Sequence, residues 1–240
     1  MKNFSIILST VAVILAATAM VKVSKISTTE VPTEAVANAL LENPKMVVEA
    51  LQAHQQQQVA EQEKAAKEAL AKYADEINSS ANAPFVGPED AKVTVVEFFD
   101  FSCGYCKRLA PAMEKVMADN KDVKFVFKPL SFVAAVSNYQ AKGALAAYKQ
   151  GKFIEFYKAV LEYKDRMTET AVDEIAKKLG LDMEKFKTDL VSEEVNKNLE
   201  DLSSLAQKVR INGVPAVLIN GEHIQTLSSD DLQEAINNAK

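Results

Sequence analysis

The chain has 240 residues, 48% of them hydrophobic and 25% charged, which is typical of a globular protein and excludes collagenous, disordered and integral membrane classes. Its 28 Lys and Arg residues against 33 Asp and Glu residues give a net charge of -5, and no long basic run is present to neutralise phosphates, so we expect no nucleic-acid partner. With 2 Cys and 2 His, the chain has few ligands for a metal site of four protein side chains.

The first 19 residues have the pattern of a secretory signal peptide. Lys2 precedes a mostly apolar run from Ile6 to Ala17, and Ala17-Thr18-Ala19 has the small-x-small pattern that a signal peptidase cleaves. We therefore expect residues 1–19 to be removed and the folded part to be exported to an oxidising compartment. An uncleaved membrane anchor is the alternative, because the stretch from Phe4 to Val21 approaches the ~18 apolar residues that a spanning helix requires.

Residues 20–83 are predicted to form a helical oligomerisation region followed by a linker. Asn43-Pro44 is typical of a helix start, because Asn is a favoured N-cap and Pro is favoured at the first helical position. No further Gly or Pro occurs before Pro84, so the pattern predicts one long helix from Pro44 to Ile77. Residues 78–84 are rich in Ser, Ala and Asn and indicate a linker to the main domain.

The predicted long helix carries a narrow apolar seam. Val59, Ala66 and Tyr73 recur every seven residues. A denser apolar patch lies near its start: Val36, Leu40, Val47, Val48 and Leu51. Because a lone helix with so thin a seam gains little stability by itself, we expect it to associate with copies of itself into a homodimer or homotrimer. A mobile stalk is the alternative.

The main domain, residues 84–240, opens with a βαβ unit. The run Lys92–Phe99 is so rich in β-branched and aromatic residues that it predicts a buried central strand. Ser102-Cys103-Gly104-Tyr105-Cys106 follows, then a helix-forming run to Asp119 and a second strand over Val123–Phe127. The cysteines thus lie where strand becomes helix, and the free amides and positive dipole end of that helix stabilise a thiolate at Cys103.

Three kinds of site use two cysteines at this spacing. A zinc site needs two further ligands, and the histidines available are His54, in a Gln-rich helix, and His223, in a late hairpin. A structural disulfide would close a loop of two intervening residues and stabilise the fold little. The favoured interpretation is a redox-active dithiol that needs neither metal nor cofactor, with Cys103 as the nucleophile and Cys106 resolving the mixed disulfide.

The run EFFDFSCGYCKRLAP around these cysteines resembles the thioredoxin fold. Pro111 stands five positions after Cys106, where thioredoxin-like proteins kink the active-site helix. Glu97, six positions before Cys103, is similar to the acidic residue that DsbA-like proteins place beneath the active site to assist proton transfer. The alternative for Glu97 is an ordinary solvated carboxylate at a strand end.

A later stretch, Asn212–Gly221, is similar to the cis-proline loop and following strand of the same family. The resemblance implies that Pro215 is cis and that the backbone of Val214 binds an extended substrate beside the disulfide. Gly104 and Tyr105, between the cysteines, are the other residues expected to contact substrate. Without the resemblance, Gly-Val-Pro would indicate only a turn entering a strand.

The residues between the second strand and this loop, about 131–210, read as an inserted helical subdomain that resembles the DsbA arrangement. The predicted helices are Ser137–Gln150, Lys152–Tyr163, Thr168–Leu179, Met183–Leu190 and Val195–Val209. A hairpin at Ile219–Glu222 and a helix capped by Ser228 follow. The expected fold class is therefore α/β: a thioredoxin-like fold with an inserted helical subdomain, preceded by an N-terminal helical oligomerisation segment.

The residues between the cysteines and the residue before the cis-proline resemble those of two different kinds of enzyme. Gly-Tyr between the cysteines is associated with DsbC-type isomerases, whereas Val before the cis-proline is similar to DsbA. A helical extension before a DsbA-like domain resembles ScsC proteins and the outer-membrane DsbA-like proteins (DsbA2 type) of intracellular bacteria, which associate through it.

The resemblance implies a periplasmic thiol-disulfide oxidoreductase that forms and isomerises disulfides. Its expected partners are unfolded or misoxidised exported proteins and a membrane redox partner, DsbB-like or DsbD-like. The alternatives are a DsbA-like oxidase without isomerase activity and a copper-binding or copper-tolerance protein, since soft thiolate ligands suit Cu(I).

Overall fold

The structure, a computed structural model, describes residues 33–240. The expected signal peptide at residues 1–19 and the alternative anchor over Phe4–Val21 lie outside the described residues. Across the part that is described, no helix combines the length and apolar character needed to cross a membrane.

In chain order the elements are α1 (Thr33–Glu42), α2 (Pro44–Lys72), α3 (Ala74–Asn78), β1 (Phe85–Val86), β2 (Thr94–Phe99), α4 (Gly104–Asp119), β3 (Lys124–Pro129), α5 (Ser137–Lys149), α6 (Phe153–Leu161), α7 (Glu169–Lys178), α8 (Met183–Leu190), α9 (Glu193–Lys208), β4 (Ala216–Ile219), β5 (Glu222–Ile224) and α10 (Ser229–Ala239).

The chain divides into two units, and the first ends at Glu61. Its described part consists of α1 and the first turns of α2, and the described side chains there are exposed. The exposed apolar side chains are Leu40, Leu41, Met46, Val47, Val48, Leu51 and Val59. An apolar surface of this kind on a helix is typical of a segment that pairs with a partner.

The structure corrects the prediction of one helix over Pro44–Ile77. Tyr73 leaves helical geometry, with φ -107° and ψ 20°, between the end of α2 and the start of α3. The amides of Tyr73 and Ile77 still donate to carbonyls four residues earlier, at 3.1 and 2.9 Å. The break follows from packing that the local sequence does not encode, because Ile77 is fully buried in the core of the second unit and Tyr73 packs against that core.

A five-stranded mixed sheet, in the order β1-β3-β2-β4-β5, organises the second unit. β2 is central, parallel to β3 and antiparallel to β4, and all six of its residues are buried, which confirms the predicted buried strand. β1 and β5 are antiparallel edge strands. β1 escapes prediction because two residues carry no detectable periodicity.

The two faces of the sheet bury separate cores. On one face Val95 and Phe99 pack with apolar side chains of α4, α6 and α10. On the other face Val96 and Phe98 pack with α3 and α9. Because side chains alternate along a strand, Glu97 faces the first core, between Val95 and Phe99.

Five helices, α5 to α9, connect β3 to β4 and confirm the predicted helical insertion. Each observed end lies within two residues of its predicted position. The agreement has a local cause, because polar side chains cap several of these helices. Asp182, for example, accepts the amides of Glu184 and Lys185 at the start of α8, and Ser192 accepts the amide of Val195 at the start of α9.

Lys128, on the second face of the sheet, binds the segment that precedes the domain. Its ammonium donates to the carbonyl oxygens of Ser79 at 3.0 Å and Glu76 at 3.4 Å. Burial lowers the pKa of Lys128 to about 8, and the nearby charge of Lys124 acts in the same direction. The residues predicted as a linker, 78–84, are thus held at their N-terminal end by hydrogen bonds from Lys128 of β3.

Replacing Lys128 with Met is expected to loosen residues 74–84, because two backbone carbonyls lose a charged donor. Loss of about 1.5 kcal/mol of local stability would raise the rate of cleavage in this segment about tenfold in limited proteolysis followed by mass spectrometry. Lys124→Met is the matched control, since it removes a neighbouring lysine on the same face of β3. Equal cleavage rates in the wild type and both variants would contradict the anchoring role.

Candidate active site

Cys103 lies where the chain passes from β2 into α4. It caps the helix with an extended backbone, φ -78° and ψ 122°, and its carbonyl accepts the amide of Lys107 at 3.1 Å. The residue is 9% exposed, and its thiol donates to the carbonyl oxygen of Val214 at 3.3 Å. The sulfur therefore lies at a helix N-terminus and at the edge of solvent, which is where the sequence pattern predicts it.

Cys106 lies in the first turn of α4 and is fully buried. Both cysteines are free thiols. Burial raises the pKa of Cys106 far above its usual range, because a thiolate there loses its hydration, and the negative charge of Glu97 acts in the same direction. Such a thiol must pass its proton to a nearby base before it acts as a nucleophile.

The loop that contacts Cys103 comes from far along the chain. The peptide bond between Val214 and Pro215 is cis, as the resemblance implies. β4 begins directly after Pro215 and pairs with β2, with Ala216 opposite Phe98. The sheet thereby brings the cis-proline loop to the end of β2 where the cysteines follow.

Gly104 and Tyr105 lie on the exposed side of the thiols. Tyr105 is 58% exposed, and the guanidinium carbon of Arg108 lies 4.1 Å from its ring centroid. A Cβ added to Gly104 would meet no atom within 4 Å, so packing does not require glycine there. Both residues are thus exposed directly after Cys103 in the chain.

Glu97 is fully buried, so its interpretation as a solvated strand-end carboxylate is wrong. Its Oε2 accepts a hydrogen bond from the Tyr157 hydroxyl at 2.9 Å, while its Oε1 is buried with no hydrogen-bond partner among the described residues. Burial raises the pKa of Glu97 to about 8, and the Tyr157 hydrogen bond opposes that rise. A carboxyl group with this pKa gains and loses protons near neutral pH.

Sequence reasoning misses Asp100, a buried residue that organises the loops around the thiols. Its Oδ1 accepts the amide of Ser102 at 2.8 Å and the hydroxyl of Ser137 at 2.7 Å. Its Oδ2 accepts the amides of Phe132 and Val133, both at 3.0 Å. The available signal was an Asp directly after a buried strand, a position typical of an Asx-turn.

A cleft of about 760 Å³ lies beside the cis-proline loop. Its lining includes Tyr105, Val214, Pro215, residues 223–227 and two residues of α2, Ala66 and Leu70. Val214, which lines the cleft, also accepts the hydrogen bond from the Cys103 thiol, so this side of the cleft lies next to the sulfur. Ala66 was expected only in the apolar seam, and nothing in its spacing indicates a place in this cleft.

Within residues 33–240, no group of three or more His, Cys, Asp or Glu side chains is placed to hold a metal ion. His54 lies on α2 beside Gln58, and His223 lies in β5 opposite Leu218.

Comparisons with known sequences match this chain to a thioredoxin family and to a disulfide bond formation protein. A family model described as thioredoxin matches residues 78–238. Probable disulfide bond formation protein D of Bacillus anthracis is 32% identical over 164 residues, which cover 63% of this chain and 75% of that protein. The Na(+)/H(+) antiporter NhaA 3 of Salinispora tropica is 31% identical over 137 residues, and there the match spans 56% of this chain but 21% of the antiporter.

Solved structures extend the similarity beyond the thioredoxin match. BcfH of Salmonella enterica Typhimurium is 27% identical with a TM-score of 0.72, over 92% of this chain and 99% of that chain. ScsC of Proteus mirabilis, in a transitional conformation, is 27% identical with a TM-score of 0.65, over 86% of this chain and 94% of that chain. Both similarities therefore include residues that precede residue 78.

The raised pKa of Glu97 predicts that stability falls as pH rises. Between its usual value of 4.5 and about 8, the folded protein keeps a proton on Glu97 that the unfolded chain releases. The free energy of unfolding should therefore decline by at most about 1.4 kcal/mol per pH unit in this range. Urea unfolding of the reduced protein from pH 5 to 9 measures the slope, and Glu97→Gln should remove this part of it.

Glu63→Gln is the matched control, because Glu63 is exposed on α2. It should keep the slope of the wild type. An unchanged slope in Glu97→Gln would contradict the assignment of the proton to Glu97.

Proposed function

The chain belongs to the thioredoxin family as a DsbA-like member, and we propose that it exchanges disulfides in other proteins through Cys103 and Cys106. The observation that supports this most directly is the asymmetry of the two thiols. Cys103 borders solvent at the start of α4, while Cys106, in the same turn of helix, is fully buried. Net oxidation or reduction of a substrate by a dithiol uses one thiol that the substrate reaches and a second that resolves the mixed disulfide.

In the reduced protein, the thiolate of Cys103 attacks one sulfur of a substrate disulfide. A bond forms between Cys103 Sγ and that sulfur, and the other substrate sulfur leaves as a thiolate. If another substrate thiolate then attacks the substrate sulfur of the mixed disulfide, Cys103 leaves and the substrate has isomerised without net oxidation. If Cys106 loses its proton and attacks Cys103 instead, the substrate leaves reduced and the enzyme pair becomes a disulfide.

Oxidation of a substrate runs through the same atoms in the other direction. A substrate thiolate attacks Cys103 of the enzyme disulfide, and Cys106 leaves as a thiolate in a fully buried position. Glu97 is the proposed proton donor to Cys106 here and the acceptor in the reverse step, since its pKa of about 8 allows both forms near neutral pH. A second substrate thiolate then attacks the mixed disulfide and releases the reduced enzyme.

Substrate is proposed to bind as an extended chain along the cleft. Val214 offers backbone groups and Pro215 an apolar surface, Gly104 leaves room for the approaching sulfur, and Tyr105 provides an exposed ring. Leu70 of α2 extends the apolar lining. Backbone and apolar contacts distinguish little between sequences, which suits unfolded or misoxidised exported proteins as substrates.

The periplasm is the proposed site of action. Disulfides persist in such oxidising compartments, and the sequence of residues 1–19 predicts an export signal. The enzyme pair must be reset after each net oxidation or reduction, and the proposed partner is a membrane protein, either a DsbB-like oxidant or a DsbD-like reductant. The redox state that this partner maintains determines whether oxidation or isomerisation dominates.

Isomerisation is proposed to depend on self-association through α1 and α2, as a homodimer or homotrimer. The support is the set of exposed apolar side chains on these helices, which includes Leu40, Val48, Leu51 and Val59. Two or three linked catalytic units present several thiols to one misfolded substrate at high effective concentration. Repeated attack is then favoured over release, which is what the reshuffling of disulfides requires.

Cys106→Ser is expected to accumulate mixed disulfides between Cys103 and exported proteins, because the resolving thiol is absent. Non-reducing electrophoresis of cell extracts should show additional high-mass bands that contain the protein and disappear with dithiothreitol. The control is Cys103→Ser/Cys106→Ser, which should form none. If Cys106→Ser also formed none, the redox function would be overturned in favour of a copper-binding role.

Leu51→Glu is expected to dissociate the proposed oligomer, because it places a charge within the apolar surface of α2. Light scattering should give the mass of one chain for this variant and a multiple of it for the wild type. The variant should keep its rate of oxidation of a dithiol peptide and lose most of its ability to refold scrambled ribonuclease.

Ala53→Glu is the matched control, because two residues along a helix correspond to a turn of about 200° and the charge then lies on the opposite side of α2. It should keep the mass and isomerase activity of the wild type. A monomeric wild type, or a monomeric variant with full isomerase activity, would contradict the proposed link.

A further inference from the structure

Tyr157 connects the helical insertion to the buried carboxyl group near the thiols. It lies on α6, and its hydroxyl donates a hydrogen bond to Oε2 of Glu97 at 2.9 Å. Neither side chain has any exposed surface. Water therefore does not compete for this hydrogen bond, and its loss would leave a buried oxygen without a partner.

Packed aromatic rings fix the position of the Tyr157 hydroxyl. The ring centroids of Phe127, Phe99 and Phe153 lie 5.1, 5.2 and 5.9 Å from that of Tyr157, and that of Phe101 lies 6.2 Å away. These tilted and edge-on contacts come from both the sheet and α6 and leave the ring little room for another rotamer. The donor is thus held in place independently of Glu97.

The other groups that face Glu97 do not compensate its charge. Its neighbours across the sheet on β3 and β4 are apolar, and the lysines of β3 lie on the opposite face. α10 contributes the apolar Leu232 and Ile236 to this core. α4 presents Cys106, on whose thiol the charge of Glu97 acts, and Glu114, whose charge acts on Tyr157 and which is paired with Lys158 of α6 at 2.6 Å. Within residues 33–240, the Tyr157 hydroxyl is the hydrogen-bond donor to this carboxyl group.

We propose that Tyr157 is a positioning residue for disulfide exchange: its hydroxyl holds Oε2 of Glu97 and so leaves Oε1 to exchange a proton with Cys106. This role rests on the function proposed above. The hydrogen bond favours the ionised carboxylate, which is the form that accepts the Cys106 proton. Burial raises the pKa of Glu97 to about 8, the bond from Tyr157 opposes that rise, and without it Glu97 would stay protonated to higher pH.

The role of Tyr157 can be measured from the rate at which Cys106 attacks the mixed disulfide and closes the disulfide with Cys103. When the reduced protein is mixed with 5,5'-dithiobis(2-nitrobenzoate), Cys103 attacks first and one coloured thiolate leaves. Cys106 then passes its proton to Glu97 and attacks Cys103 Sγ, the bond from Cys103 to the remaining nitrobenzoate sulfur breaks, and a second coloured thiolate leaves. Stopped-flow absorbance separates the two releases and gives the closure rate at each pH.

Tyr157→Phe removes the hydroxyl and keeps the ring. The midpoint of the pH profile for the second release should rise by about one pH unit, which is about a tenfold slower closure on the acidic side of the profile and little change at high pH. A structural defect would instead slow closure by one factor at every pH. That result, or an unmoved midpoint, would overturn the proposal.

Two further variants distinguish an effect through Glu97 from a general effect of removing a tyrosine hydroxyl. In the Glu97→Gln background, Tyr157→Phe should leave the closure rate unchanged, because no carboxylate remains to be held. An equal loss in both backgrounds would overturn the proposal. Tyr148→Phe is the matched control, since it removes a half-buried hydroxyl from α5 of the same insertion, and it should keep the wild-type midpoint.

A second measurement applies if Tyr157→Phe does not fold. Replacement of all 6 tyrosines by 3-fluorotyrosine preserves the rings and makes each phenol a stronger donor, so the midpoint should fall instead of rise. An unmoved midpoint would overturn the role of Tyr157. A wild-type protein that releases no second nitrobenzoate at any pH would overturn the function proposed for Cys103 and Cys106 themselves.

Discussion

The placement of the thiols depends on the burial of β2 on both of its faces. The strand is paired along both edges, with β3 and β4, and none of its six residues is exposed to an appreciable extent. Its register is therefore fixed from both sides. The chain that leaves its end is held by the four hydrogen bonds that Asp100 accepts, so the sheet fixes Cys103 at the first turn of α4.

Burial in the sheet also shifts the pKa values of two ionisable residues, Glu97 of β2 and Lys128 of β3. A carboxyl group in a strand without solvent must either find a cation or shift its pKa. Glu97 and Lys128 are both buried, yet they lie on opposite faces, so the sheet separates charges that would otherwise neutralise each other. Lys128 binds backbone carbonyls, whereas Glu97 keeps one oxygen without a partner among the described residues. The separation leaves Glu97 available for proton exchange.

Sequence patterns predict those features of the fold that depend on residues close together in the chain. The apolar run of β2, the capping Asp182 and the position of the cysteines between strand and helix all depend on residues close together in the chain. The break at Tyr73 has no local signal, since it arises from the burial of Ile77 in a distant core. The contact of Tyr157 with Glu97 joins residues 60 positions apart, which a single sequence does not reveal.

Gly104 follows the thiol of Cys103 directly and faces open space, where an added Cβ would meet no atom within 4 Å. Side chains of several sizes and charges fit there without disturbing the core. Each would change the electrostatic field and the steric access at the neighbouring sulfur. Substitution at this one position is therefore expected to change the oxidising strength of the pair without steric conflict with the core.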